Sequence, residues 1–135
     1  LTINDTGSAG SIESSYPVQL KSGAAFVLNG GSITSTKGAA VDIYTSAENV
    51  LVEINGGAVN AASSDNAIGV RGKANVIVNI NGGKITTGSN NRLAMYISGD
   101  KEDSIQVNIT PARSPPTARR FRLTAALRST FRATL

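Results

Sequence analysis

The tripeptide Asn-Gly-Gly occurs at Asn29, Asn55 and Asn81, a constant interval of 26 residues, and each copy is flanked by aliphatic residues. Leu28, Ile54 and Ile80 precede the three copies, and Ile33, Val59 and Ile85 follow two residues after each. A fixed recurrence of one turn with one flanking pattern marks a repeat architecture, in which each unit hides its apolar face against its neighbours. The antiparallel sandwich also predicts frequent turn signals. It gives no reason for the same turn to return at the same interval.

Aligning the chain on these turns brings more positions into register. The segments 26–28, 52–54 and 78–80 read FVL, VEI and VNI, and 1–3 and 107–109 fill the same place with LTI and VNI. A further set reads VQL at 18–20, VDI at 41–43, IGV at 68–70 and MYI at 95–97. All alternate with period two, the pattern of short strands with one buried face. Links rich in Gly, Ser, Asn and Lys separate them and vary slightly in length, as loops on a repeating scaffold do.

Three short strands per unit, repeated about four times, predict an all-β fold: a right-handed parallel β-helix over residues 1–109. Each coil climbs roughly 4.8 Å, one strand spacing. Equivalent side chains then stack, with Leu1, Phe26, Val52, Val78 and Val107 in one column and Ile3, Leu28, Ile54, Ile80 and Ile109 in the next. Within the turns, Gly30, Gly31, Gly56, Gly57, Gly82 and Gly83 supply conformations that a side chain would obstruct, and Asn tolerates left-handed backbone better than most residues. Stacked Asn29, Asn55 and Asn81 are placed to bond amide to amide as a ladder. These nine residues are predicted to be structural. A phosphate-binding glycine loop would need a helix after it.

Cys and His are absent, which removes Cys/His zinc sites, thiol nucleophiles and the Ser-His-Asp triad together. No apolar run reaches the 18 or so residues of a membrane span. The chain opens on LTIND, already in strand-like alternation, so it is expected to be an excerpt of a longer protein with any targeting segment upstream or removed. The net charge of +4 averages two unlike parts. Residues 1–109 carry nine acids and seven bases, whereas 110–135 carry six Arg and no acid.

That second part, TPARSPPTARRFRLTAALRSTFRATL, breaks the repeat. Leu123, Leu127, Phe131 and Leu135 recur at helical spacing, Thr117 is placed to cap a helix, and Arg119, Arg120, Arg122, Arg128 and Arg132 surround the stripe. Three readings stay open: a helix capping the open end of the β-helix, out-of-frame sequence, and a basic amphipathic helix for membrane or nucleic acid. Binding to membrane or nucleic acid would rest on this tail alone.

The segments VNINGGKITTGS and VEINGGAVNAASSDNAIGV resemble the coils of right-handed parallel β-helix proteins of the pectin-lyase-like superfamily, and most of all its non-catalytic bacterial surface and adhesin-type proteins. The resemblance covers residues 1–109. It implies a secreted or cell-surface protein with a structural or adhesive role, and glycans, other surface molecules and the parent chain's flanking coils as partners. It carries fold better than activity, because the same coils serve lyases, hydrolases and adhesins. The alternative it leaves is a non-catalytic fragment of a polysaccharide lyase or hydrolase.

Nothing in the residues calls for a cofactor or catalysis. Lyases of the superfamily use clustered Asp with calcium and a Lys or Arg base, and its hydrolases use Asp on adjacent coils. In the register above Asp42 aligns with Gly69 and Tyr96, and Glu53 with Asn79 and Asn108, so no column pairs two carboxylates as glycoside hydrolysis requires. The acids of GDKED at 99–103 read as a solvated turn in preference to a calcium loop. Thr34, Thr36, Asn60, Thr86 and Thr87 offer a hydrogen-bonding face to a glycan or serve as ordinary outward residues. Leu51 and Ile77 are predicted to point outward although apolar, which suggests that something covers them.

Overall fold

The computed structural model describes residues 1–5, 10–62, 65–88, 92–98 and 105–110. Regular structure within them is entirely strand. The elements are β1 (Thr2–Ile3), β2 (Ser11–Ser14), β3 (Val18–Leu20), β4 (Ala25–Leu28), β5 (Ser32–Ser35), β6 (Val41–Ile43) and β7 (Glu48–Ile54), then β8 (Ala58–Ala61), β9 (Ile68–Val70), β10 (Ala74–Ile80), β11 (Lys84–Thr87), β12 (Met95–Ile97) and β13 (Ile105–Ile109).

The chain visits three sheets in rotation. The first contains β1, β4, β7, β10 and β13 in that order; the second β2, β5, β8 and β11; the third β3, β6, β9 and β12. Every strand pairing is parallel. The chain is therefore a parallel β-solenoid of about four coils, and the sandwich alternative fails because it requires antiparallel neighbours.

Register puts like on like. Phe26 pairs with Val52, Val52 with Val78 and Val78 with Val107. Ile3, Leu28, Ile54, Ile80 and Ile109 form the next column. The second sheet contributes Ile33, Val59 and Ile85, and the third contributes Val41, Ile68 and Met95 beside Ile43, Val70 and Ile97. Phe26, Leu28, Val52, Ile54, Ile68 and Val70 are wholly buried. Each such side chain stabilises the fold by about 1.5–3 kcal/mol relative to an exposed one. A single coil cannot supply that burial, so the energy resides between coils.

Two details differ from the sequence expectation. Leu1 begins the first column but is 71% exposed, because β1 is the end strand of its sheet and pairs with β4 on one side. The third sheet is also not simply apolar inside and wet outside. Asp42 and Gly69, the outward residues of β6 and β9, are both buried. At mid-height the Arg71 side chain lies against this face, bonded to Asp42 and close to Gly69, and it is here that the molecule departs from its own repeat.

Candidate functional site

The Asn-Gly-Gly turns join the first sheet to the second. The Asn55 Nδ2 donates to Asn29 Oδ1 at 2.8 Å, and Asn81 Nδ2 donates to Asn55 Oδ1 at 2.8 Å. Asn4 extends this ladder below through a bond from Asn29, and the Thr110 hydroxyl extends it above. The amides therefore satisfy one another along the spiral.

The backbone roles within the turn are divided. Only the second glycine is left-handed, with φ of 78° at Gly31, 76° at Gly57 and 85° at Gly83. The first glycine is there for closeness: a Cβ on Gly56 would lie 2.6 Å from the Asn29 carbonyl oxygen, and one on Gly82 would lie 2.7 Å from that of Asn55. Asn29, Asn55 and Asn81 do not take the left-handed conformation that the sequence suggested for them. Each Asn-Gly-Gly runs into a strand, β5, β8 or β11, and not into a helix. The turns therefore lack the helix N-terminus that a phosphate-binding glycine loop needs.

Left-handed asparagines occur elsewhere. Asn49 has φ 57° and Asn75 has φ 52°, at the entry to the first sheet, and Asn75 Nδ2 donates to Asn49 Oδ1 at 3.0 Å. One coil lower, Gly23 at φ 75° stands two residues before Ala25, as Asn49 stands two before Leu51, its register partner. This second ladder escapes a search for Asn-Gly because no glycine accompanies it.

The outer faces differ in what they offer. On the second sheet Thr34, Asn60 and Thr86 share an outward column, and Thr86 Oγ1 donates to Asn60 Oδ1 at 2.9 Å. Thr87 does not belong with them. It lies in the inward column with Ser35 and Ala61, since successive strand residues face opposite sides. On the first sheet Leu51 and Ile77 do point outward, Ile77 being 38% exposed, and with Asn49, Asn75 and Gln106 they line a shallow groove of about 440 Å³. That groove contains no titratable group.

The third sheet carries the chemistry. Its outward column is Gln19, Asp42, Gly69 and Tyr96, a different residue on each coil. Asp42 is 8% exposed. Its Oδ1 accepts a bond from Arg71 Nη2 at 2.5 Å, and Arg71 stands immediately after β9. The Asp42 bond raises the Arg71 pKa above its ordinary value against the opposing effect of partial burial, with a further contribution from the charge of Asp65. A Cβ on Gly69 would come within 2.7 Å of that same Asp42 oxygen. Glycine at 69 thus leaves room for the carboxylate, which fills the space a side chain would take.

One coil above Gly69 stands Tyr96, 37% exposed. Beside it Asn66 Oδ1 accepts from the Leu93 backbone N–H at 3.0 Å, while Asp65 Oδ1 accepts from the Asn66 backbone N–H at 2.7 Å. Together with Arg92 these residues line a groove of about 460 Å³. An aromatic ring, two guanidiniums and planar carboxylate and amide groups around one groove suit hydrogen bonding to a polar ring-shaped ligand.

For catalysis the same geometry offers less. No column of any sheet holds two carboxylates among the described residues, and among them no three of His, Cys, Asp and Glu cluster to hold a metal ion. The acidic stretch 99–103 and the tail at 111–135 lie outside the described residues. No helix in the described residues is long and apolar enough to cross a membrane. A scan against protein-family models, a search of curated proteins and a search of solved structures each found no match to this chain.

Proposed function

We propose that residues 1–109 are a non-catalytic structural and adhesive module of a secreted or cell-surface bacterial protein, a rigid spiral that presents a glycan-contacting face. The likeness of its coils to pectin-lyase-like surface proteins supports the setting. The groove on the third sheet supports the contact, and one observation carries it: the partly exposed Tyr96 stands one coil above Gly69 in the outward column, with the Asp42–Arg71 pair alongside. The phenol ring suits the apolar face of a sugar, and its exposed position leaves that face free. Carboxylate, guanidinium and amide groups read hydroxyls at defined angles. The volume is within the range of small-ligand sites.

Rigidity is part of the function. A site built on strands keeps its geometry better than one on loops, and the column beneath Tyr96 is pinned from inside by Met95 and Ile97, both buried. Retention of oligosaccharides by the purified 135-residue chain on a glycan array, with their lengths unchanged after incubation, is the expected result. Release of shortened or unsaturated products would instead favour the polysaccharide-enzyme alternative. Failure to retain any glycan would overturn the adhesive role.

A further inference from the structure

The dipeptide Asn-Gly, which forms the same corner at Asn29, Asn55 and Asn81, is chemically labile as well as structurally useful. Glycine puts no side chain in the way, so its backbone nitrogen can reach the Cγ of the asparagine before it. The N–Cγ bond forms, the Cγ–Nδ2 bond breaks, and ammonia leaves with the glycine N–H proton. Water then opens the cyclic imide at either carbonyl. One opening gives aspartate; the other gives isoaspartate, with the main chain rerouted through the side chain. All three asparagines are exposed to the water and base that this reaction uses.

The stacked coils oppose the reaction in two ways. The asparagine side chain must swing towards its own backbone, and in the ladder it is held: Asn55 donates to Asn29 and accepts from Asn81. The glycine N–H must also give up its proton, and Gly56 and Gly82 donate theirs to the carbonyls of Leu28 and Ile54 at 3.3 and 3.1 Å. At Asn29 the second restraint is missing. Among the described residues the Gly30 N–H has no assigned acceptor. The first restraint is weaker there too, because local opening is easiest where few backbone bonds hold a segment. The rung beneath Asn29 is Asn4, which follows the two-residue β1, whereas the rungs beneath Asn55 and Asn81 follow β4 and β7, four and seven residues long.

We infer that Asn29 is a site of spontaneous deamidation, and that stacking shields Asn55 and Asn81 from the same reaction. Neither product at position 29 fits the coil below. Aspartate has no Nδ2 to donate to Asn4 Oδ1, so two acceptors face each other. Isoaspartate inserts a methylene into the backbone just before Gly30, where even a Cβ would collide with the Asp5 carbonyl oxygen. Conversion therefore loosens β1 from β4 while the rungs above stay in place.

The test incubates the full chain in mildly alkaline buffer, native and in urea, and follows each asparagine by tryptic digestion and mass spectrometry against an unincubated control. Cleavage at Lys21, Lys37, Arg71, Lys73 and Lys84 puts the three asparagines on separate peptides. In urea the three should convert at similar rates, because each is followed by the same Gly-Gly. In the native chain Asn29 should convert about tenfold faster than Asn55 or Asn81, the effect of one or two added hydrogen bonds. Asn49 and Asn75, each followed by Val, should stay intact. Asn4→Ala, shown to be folded by circular dichroism, should speed conversion of Asn29 and leave the other two unchanged. Equal native rates at the three sites, or a native Asn29 as inert as Asn49, would overturn the inference. If Asn29 leads by the same factor in urea, local sequence and not the stack sets the order, and the shielding fails.

Discussion

Two corners of the spiral are built on asparagine, and they use it for opposite reasons. At the corner between the first and second sheets, Asn29, Asn55 and Asn81 have ordinary φ, and the second glycine of each turn carries the left-handed step. At the entry to the first sheet, Asn49 and Asn75 take the left-handed step themselves, and the coil below uses Gly23 there. Both corners make amide-to-amide bonds across coils 26 residues apart. The shared ladder conceals a different division of labour: in the first corner asparagine is kept for its side chain, in the second for its backbone as well.

Substitutions distinguish the two corners. The largest effect is expected at Gly57, where any side chain is left-handed and would also collide with the Gly31 carbonyl oxygen of the coil below. Gly57→Ala should destabilise by about 2–4 kcal/mol, combining the left-handed cost with the enforced backbone shift. Urea denaturation followed by circular dichroism measures it, and a loss under about 1 kcal/mol would show that the turn yields easily.

Next comes Asn55, which donates to one rung and accepts from another. Asn55→Ala should cost about 1–2 kcal/mol for two partly exposed bonds. Asn55→Gly should be worse than Ala by about 0.5 kcal/mol, because glycine at an ordinary φ only loosens the unfolded chain.

At Asn49 the order reverses. Asn49→Gly should fall within about 0.5 kcal/mol of the parent, relief of the left-handed cost offsetting the lost bond, while Asn49→Ala should cost about 1–2 kcal/mol. The same Gly-versus-Ala order at positions 49 and 55 would erase the distinction between the corners.

The inner columns were legible in the sequence because burial imposes a period, and period survives without coordinates: Phe26, Val52 and Val78 announce one another. The asparagine roles were not, because residue type does not report φ. Asn55 beside two glycines looks like the left-handed residue, and Asn49 in AENV carries no turn signal. Thr87 falls on the inward side for a simpler reason. A list of polar residues ignores alternation, and Thr86 and Thr87 cannot share a face.

The groove was half visible. The alignment of Asp42 with Gly69 and Tyr96 follows from the repeat, but tested only for paired acids it looks empty. What completes the site is Arg71 and Arg92, both in links between strands, where the repeat gives no register. Links of a repeat protein vary freely because they do not stack. For the same reason they are where a distinctive surface is built, here beside an outward column in which each coil carries a different residue.

Stacking itself is testable because the chain lacks cysteine. Thr34 and Asn60 are outward register partners on adjacent coils, and Asn60 and Thr86 continue the column. Neighbouring strands put Cα atoms about 4.8 Å apart, within disulfide range, whereas positions two coils apart are separated by about 10 Å, beyond it. Mild oxidation should close an intrachain disulfide in the Thr34→Cys/Asn60→Cys double variant and leave Thr34→Cys/Thr86→Cys reduced, as read by mass spectrometry. Equal cross-linking of both pairs, or closure of the distant pair alone, would contradict a spiral in which residues 26 apart lie one above another.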